Sequence, residues 1–295
     1  MTAQPTTDRL AVPGGKIYYE VRGSGPLLLV IGQPMTSGSF APLADVLATD
    51  HTVVTYDPHG LGESTIDDRS LPVTAEIEAE DLAAIIDAVG GGPADVFASS
   101  GGAVAGLALA TRHPDKVRTL IAHEPPLPEL LPDAPYAQAV IDDIVDAFRA
   151  GGPGAAWGKF VPLVMHDGPI PEGGIPPTTW PPPGQHTADD ADQDADAAQA
   201  PPERSEKQQA DDELFFLRML KPLNLYQADI DALRSGAPRV VLAVGESSRG
   251  ELARRSADAL AERLGTPAVT FPGHHAGFMA DPAGFATKIR EVIAK

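Results

Sequence analysis

Apolar positions along this chain keep two rhythms in alternation. Leu27–Ile31 (LLLVI) and Thr52–Tyr56 (TVVTY) are short apolar or β-branched runs, the pattern of strands buried on both faces. Lys16–Val21 (KIYYEV) reads as a further strand, closed by a Gly-Ser-Gly turn at 23–25. Between these runs the spacing becomes helical. Phe40–Ala48 carries Leu43, Val46 and Leu47 on one side, and Ile77–Val89 carries Ile77, Leu82, Ile85, Ile86 and Val89. Acids fall in the first turns of the second stretch, where the helix dipole favours them. Asp95–Ala98 then predicts a strand, Gly101–His113 a helix and Val117–His123 a strand. Near the far end come the strand Arg239–Val244, the helix Glu251–Leu264, the strand Ala268–Phe271 and a helix over Ala283–Ile293. Such alternation predicts an α/β fold, a mostly parallel sheet flanked by helices.

The rhythm breaks after Pro125 and resumes near Ala237. Tyr136–Arg149 and Leu214–Leu220 still read as helical pieces. Residues 167–212 are too polar and too rich in proline to build a core, which predicts a lid or a disordered segment. The expected organisation is a core of residues 1–125 and 237–295, interrupted by an insertion at 126–236. At 295 residues the chain is long enough for one large domain plus an insertion of that size.

Charge narrows the partners. Forty-one acidic residues against 22 basic ones give a net charge of −19, a field that repels phosphate backbones and anionic bilayers. Nucleic acid and membrane surfaces are therefore not expected partners; a small, neutral and partly apolar molecule is. Between Gln185 and Glu213 ten acids face only Arg204 and Lys207, so this stretch alone carries −8. The chain has no cysteine, which removes disulfides, thiolate metal sites and a cysteine nucleophile. His51, His113, His166 and His186 show no metal-ligand spacing, and neither metal nor cofactor is expected. The first ten residues lack the apolar core of a signal peptide, and no apolar run reaches membrane-spanning length; the expected location is the cytoplasm.

The strongest chemical signal is Val96-Phe-Ala-Ser-Ser-Gly-Gly-Ala-Val-Ala105, where a strand meets a cluster of tiny residues and runs directly into a helix. The frame Ala98-Ser99-Ser100-Gly101-Gly102 fits a nucleophile elbow with alanine as its first small residue. A bend this sharp strains the backbone of Ser100, and larger side chains two positions before or after would collide. Making Ser99 the nucleophile instead would put Phe97 at the small position, so Ser100 fits better. The second signal is Thr270-Phe-Pro-Gly-His-His-Ala-Gly-Phe278, a glycine-flanked loop presenting imidazole after the last strand. Serine early and histidine late are the ingredients of base-assisted nucleophilic catalysis.

With these motifs the chain resembles the α/β-hydrolase family over residues ~10–125 and ~237–295. The resemblance also includes Val30-Ile-Gly-Gln-Pro-Met35 and the turn Tyr56-Asp-Pro-His-Gly-Leu-Gly-Glu-Ser64. It implies an α/β-hydrolase fold with a helical cap over 126–236. Family members often read Pro-Gly-x-His-x-Gly-Phe in the last loop, which makes His275 the implied base and His274 its variable neighbour. The implied oxyanion hole uses the backbone N–H groups of Gly101 and Gln33; Pro34 has none to offer. Asp57, His59 and Ser64 take structural roles in the turn.

The acid departs from the common pattern. The usual aspartate position is nearest Ser248, and no aspartate stands there. Some branches, the haloalkane dehalogenases among them, place the acid at the end of the preceding core strand, where this chain has Glu124; Glu246 is the alternative. Serine at the elbow argues against the branches that need aspartate there. What the resemblance implies is an acyl-enzyme on Ser100 during hydrolysis of an ester, lactone or related acyl bond. A cofactor-independent lyase or oxygenase, or a ligand-binding member of the same fold, is the alternative. Trp180 and Phe215-Phe216-Leu217 are candidate pocket residues.

Overall fold

The apolar runs become the centre of a twisted sheet. The computed structural model describes residues 4–176, 204–235 and 238–295. Strands β1 (Thr6–Val12), β2 (Gly15–Gly23), β3 (Leu27–Gln33), β4 (Thr52–Tyr56), the short β5 (Thr65–Ile66), β6 (Ala94–Ser100), β7 (Val117–His123), β8 (Arg239–Gly245) and β9 (Val269–Phe271) form one sheet. Its order is β1-β2-β4-β3-β6-β7-β8-β9, with β5 pairing on β2. From β4 to β9 neighbouring strands run parallel, while β1, β2 and β4 pair antiparallel at one edge. All of β3 is buried, and its side chains divide between two cores as the pleat requires. Leu27, Leu29 and Ile31 join one cluster and Leu28 and Val30 the other.

Helices cover both faces. Phe40 and Leu43 of α1 (Ser37–Leu47), Phe278 of the short α9 (Gly277–Ala280) and Phe285 and Ile289 of α10 (Pro282–Ile293) pack on the second cluster. The first holds Leu82 of α2 (Ala75–Val89), Leu107 of α3 (Gly101–Arg112) and Leu260 of α8 (Leu252–Leu264). Element bounds fall within a few residues of the expected ones. Strand β1 gave no apolar signal because it lies at the edge and is largely exposed.

Between β7 and β8 most of the described residues are helical. The stretch expected at Tyr136–Arg149 is longer, α4 (Ala134–Val164), broken at Gly152 where φ is 72°. Then come α5 (Glu206–Leu214), a π-helical turn over Phe215–Met219, α6 (Leu220–Asn224) and α7 (Ile230–Arg234). The expectation that 167–212 contributes nothing to a core needs correction at both ends. Ile170 is buried, its N–H bonded to Asp133 at 2.7 Å. Ser205 and Gln208 form a capping box that starts α5, and the buried Asp212 accepts from Trp157 Nε1 at 2.9 Å and pairs with Arg204. Residues 177–203, which include Trp180 and most of the acidic tract, lie outside the described residues. Among the described residues, no helix is long and apolar enough to cross a membrane.

Candidate active site

The carboxyl ends of β3, β6 and β7 and the loops after β8 and β9 meet at one cleft. Ser100 ends β6 and caps α3 with φ 57° and ψ −128°. Among the described residues only Ser100 and Glu124 are non-glycine residues with positive φ. Such conformations cost about 1–3 kcal/mol each and persist only where the surroundings impose them. The surroundings at Ser100 are tight. A Cβ on Gly102 would lie 2.5 Å from Gly32 Cα, and one on Gly101 would lie 3.1 Å from Gln33 Cβ. Helix α3 therefore starts against the backbone of β3, with Gln33 in parallel register beside Ser100.

The imidazole comes from the loop after β9. Gly273 turns the chain at φ 72°, and Gly277 is required because its Cβ would sit 2.4 Å from Pro272 O. His275 Nδ1 bonds Glu124 Oε2 at 2.6 Å. His274 is exposed and accepts from Ala276 N–H. Glu124 is fully buried just past β7, and its backbone N–H donates to Ala243 O at 3.0 Å. Its Oε1 accepts from Gly245 N–H at 2.7 Å and from the Ser248 hydroxyl. Burial works against its charge. The hydrogen bond from His275, the attraction of the His123 and His275 rings and the Ser248 hydroxyl together outweigh it and hold the carboxyl at about 2. Glu246 is exposed and makes no contact with His275 among the described residues, so the imidazole meets Glu124 alone of the two candidate acids.

A cleft of about 540 Å³, counting its open mouth, is lined by Ser100, Gly101, Gln33 and His275 together. Ser100 and His275 share its wall without a direct hydrogen bond between them. Pro34, Pro126, Phe160, Leu163, Phe215, Leu223 and Leu252 give it an apolar lining. Of the candidate pocket residues Phe215 lines it; Phe216 is buried against Phe148 and Trp157.

Residues 25–158 match the model of the alpha/beta hydrolase fold family. A Bacillus subtilis protein named uncharacterized hydrolase YraK is 29% identical over 97% of this chain and 95% of its own. A thermophilic esterase from Thermogutta terrifontis, solved with malate bound, superposes with a TM-score of 0.68 at 21% identity, over 99% of this chain and 98% of that one. The enol-lactonase from Burkholderia xenovorans does so with a TM-score of 0.65 at 18% identity, over 98% and 100%. The chain has the α/β-hydrolase fold. The residues that carried the resemblance hold that fold together in recognisable ways. Asp57 accepts from Ser37 N–H and its hydroxyl and from Glu63 N–H, at 2.7–2.8 Å, and the Ser64 hydroxyl donates to Asp57 O. His59 is buried, Nδ1 2.8 Å from Asp81.

Two contributors to this cleft left little trace in the sequence. Ser248, the position nearest the aspartate that the resemblance led one to expect, donates its hydroxyl to the buried Glu124. His123 is fully buried, Nδ1 3.1 Å from the Ser99 hydroxyl and its ring 6.1 Å from that of His275. Burial lowers its pKa to about 4, so it is neutral near pH 7. The only available signal in the sequence was negative: no aspartate stands at or near Ser248 after β8.

Proposed function

We propose that this protein is a serine hydrolase that cleaves an ester, lactone or related acyl bond through an acyl-enzyme on Ser100. The observation that carries this reading is the convergence on one cleft of a strained serine and an imidazole bound to a buried carboxylate. Ser100 Oγ attacks the carbonyl carbon while His275 takes its proton. Glu124 fixes the ring through Nδ1 and stabilises the imidazolium that forms. The N–H groups of Gly101 and Gln33 receive the developing oxyanion, a contribution of about 10²–10³ in rate per donor. His275 then protonates the departing alkoxide, and a water activated by the same ring releases the acid. No cofactor has a role in these steps.

Residues 126–236 act in this reading as a cap, since Phe160, Phe215 and Leu223 roof the cleft with apolar surface suited to a small, neutral and partly apolar substrate. Esterase and lactonase are the activities named for two proteins of the same fold, and hydrolase is the name given to the Bacillus relative.

The test is a fluorophosphonate probe together with ester and lactone panels, read on wild type and Ser100→Ala. Labelling of the wild type and turnover are both expected to disappear in the variant, with kcat falling at least about 10³-fold. Undiminished turnover by Ser100→Ala would overturn acyl transfer and point to His275 as the base of a lyase.

A further inference from the structure

The reading above uses only the backbone of Gln33. Its side chain is 2% exposed, ends β3 beside Ser100 and belongs to the wall of the cleft. One end of the carboxamide is tied. Nε2 donates to the Tyr56 hydroxyl at 3.0 Å, which donates to Glu78 Oε2 at 2.8 Å. Glu78 Oε1 accepts the N–H of His59 at 3.1 Å. A phenol has one proton; given to an ionised Glu78, it leaves the hydroxyl oxygen free only to accept. That order of donors sets the amide nitrogen toward Tyr56 and leaves Oε1 at the free end. Oε1 is buried with no hydrogen-bond partner, and among the described residues it is the only such atom on a residue lining the cleft. A buried, unpaired carbonyl oxygen is costly, and a ligand that brings a donor removes the cost.

The geometry points to the Gln33 carboxamide as a specificity determinant that accepts a hydrogen bond from the acyl part of the substrate. It rests on the serine-hydrolase reading in one respect. With the scissile carbonyl oxygen on Gln33 N–H, Oε1 of the same residue lies within one side-chain length of that carbonyl. The preferred acyl groups then carry an O–H or N–H on the atom bonded to the carbonyl carbon, as 2-hydroxyacyl esters do. A site built around such a donor discriminates against analogues that lack it far more strongly than an apolar wall discriminates by size.

Phenyl glycolate supplies the donor; phenyl methoxyacetate matches it electronically and phenyl propionate in size. The three are compared as substrates of the wild type and as ligands of Ser100→Ala by calorimetry. Measurements are made above about pH 8, where Glu78, raised by burial to about 7, is ionised. Glycolate is expected to lead both analogues by at least about tenfold in kcat/KM and in affinity. In Gln33→Met that ratio should fall below about threefold; if this variant does not fold, Gln33→Asn, one methylene shorter, is held to the same criterion. Hydrolysis of all three esters without preference, or a preference that survives both substitutions, overturns the inference and leaves the hydrolase reading intact. Preferential binding of glycolate by Ser100→Ala with no turnover by the wild type supports the inference and overturns the acyl-transfer reading instead.

Discussion

At the scale of single residues, Glu124 is fully buried and meets the imidazole of His275 through Oε2 at 2.6 Å. Its carboxyl is held near 2 against an ordinary 4.5, so ionisation in the folded state stabilises the protein above pH 4.5, and that stability is lost as pH falls through 2. Glu124→Gln is expected to remove about 3 kcal/mol of pH-dependent stability from this range. It should also lower kcat by about 10³–10⁴, since the imidazole loses the anion that orients it. Urea unfolding at several acidic pH values, alongside ester turnover, checks both. Ser248→Ala removes a hydrogen bond to the same buried carboxylate and is expected to cost about 1.5–3 kcal/mol. Equal stability of wild type and Ser248→Ala would show that Glu124 does not depend on that hydroxyl. Ser100, His275, Gln33 and Gly101 were legible because their neighbours in sequence carry the constraint: small residues around the bend, glycines around the loop. Ser248 was not, because its partner is 124 positions away.

At the scale of elements, the contact between the start of α3 and the end of β3 sets the cleft. The space for a side chain at Gly102 is already occupied by Gly32 of β3. Gly102→Val is therefore expected to destabilise the fold by about 1–3 kcal/mol or more by overpacking. It should depress kcat/KM further than the loss of folded protein explains, because the neighbouring Gln33 N–H must move. Thermal melts combined with turnover per folded molecule separate the two effects. The buried strands and amphipathic helices were readable from periodicity, since one sheet or helix face meets one core. Strand β1 and helix α5 were not: the first is an exposed edge, and the second has a polar sequence whose order comes from a capping box and from Asp212 meeting Trp157.

For the molecule as a whole, electrostatics should be visible in bulk stability. A net charge of −19 repels itself in the compact state, and added salt screens that repulsion. The melting temperature is expected to rise between low and about 0.2 M NaCl; a flat response would mean that ion pairs already offset the excess. Buried Glu78 adds a second dependence of opposite sign to that of Glu124. Burial, with the nearby Asp81, raises it from 4.5 to about 7, so the stability of its neutral form is complete below 4.5 and lost as pH rises through 7. Glu78→Gln should flatten the stability curve across that window by up to about 3 kcal/mol. Denaturant midpoints at intervals from pH 4.5 to 8 measure it.

Sequence alone determined whatever depends on near neighbours along the chain. Apolar period dictates strand or helix, small residues permit a bend at Ser100, and glycines shape the loop that carries His275. Tertiary structure alone decided which groups meet across long separations. Glu124 rather than Glu246 reaches the imidazole, Ser248 grips that acid, and Tyr56 and Glu78 orient the amide of Gln33. Hydrogen bonds between distant strands impose no period on the residues around them, so no local pattern records them before the chain has folded.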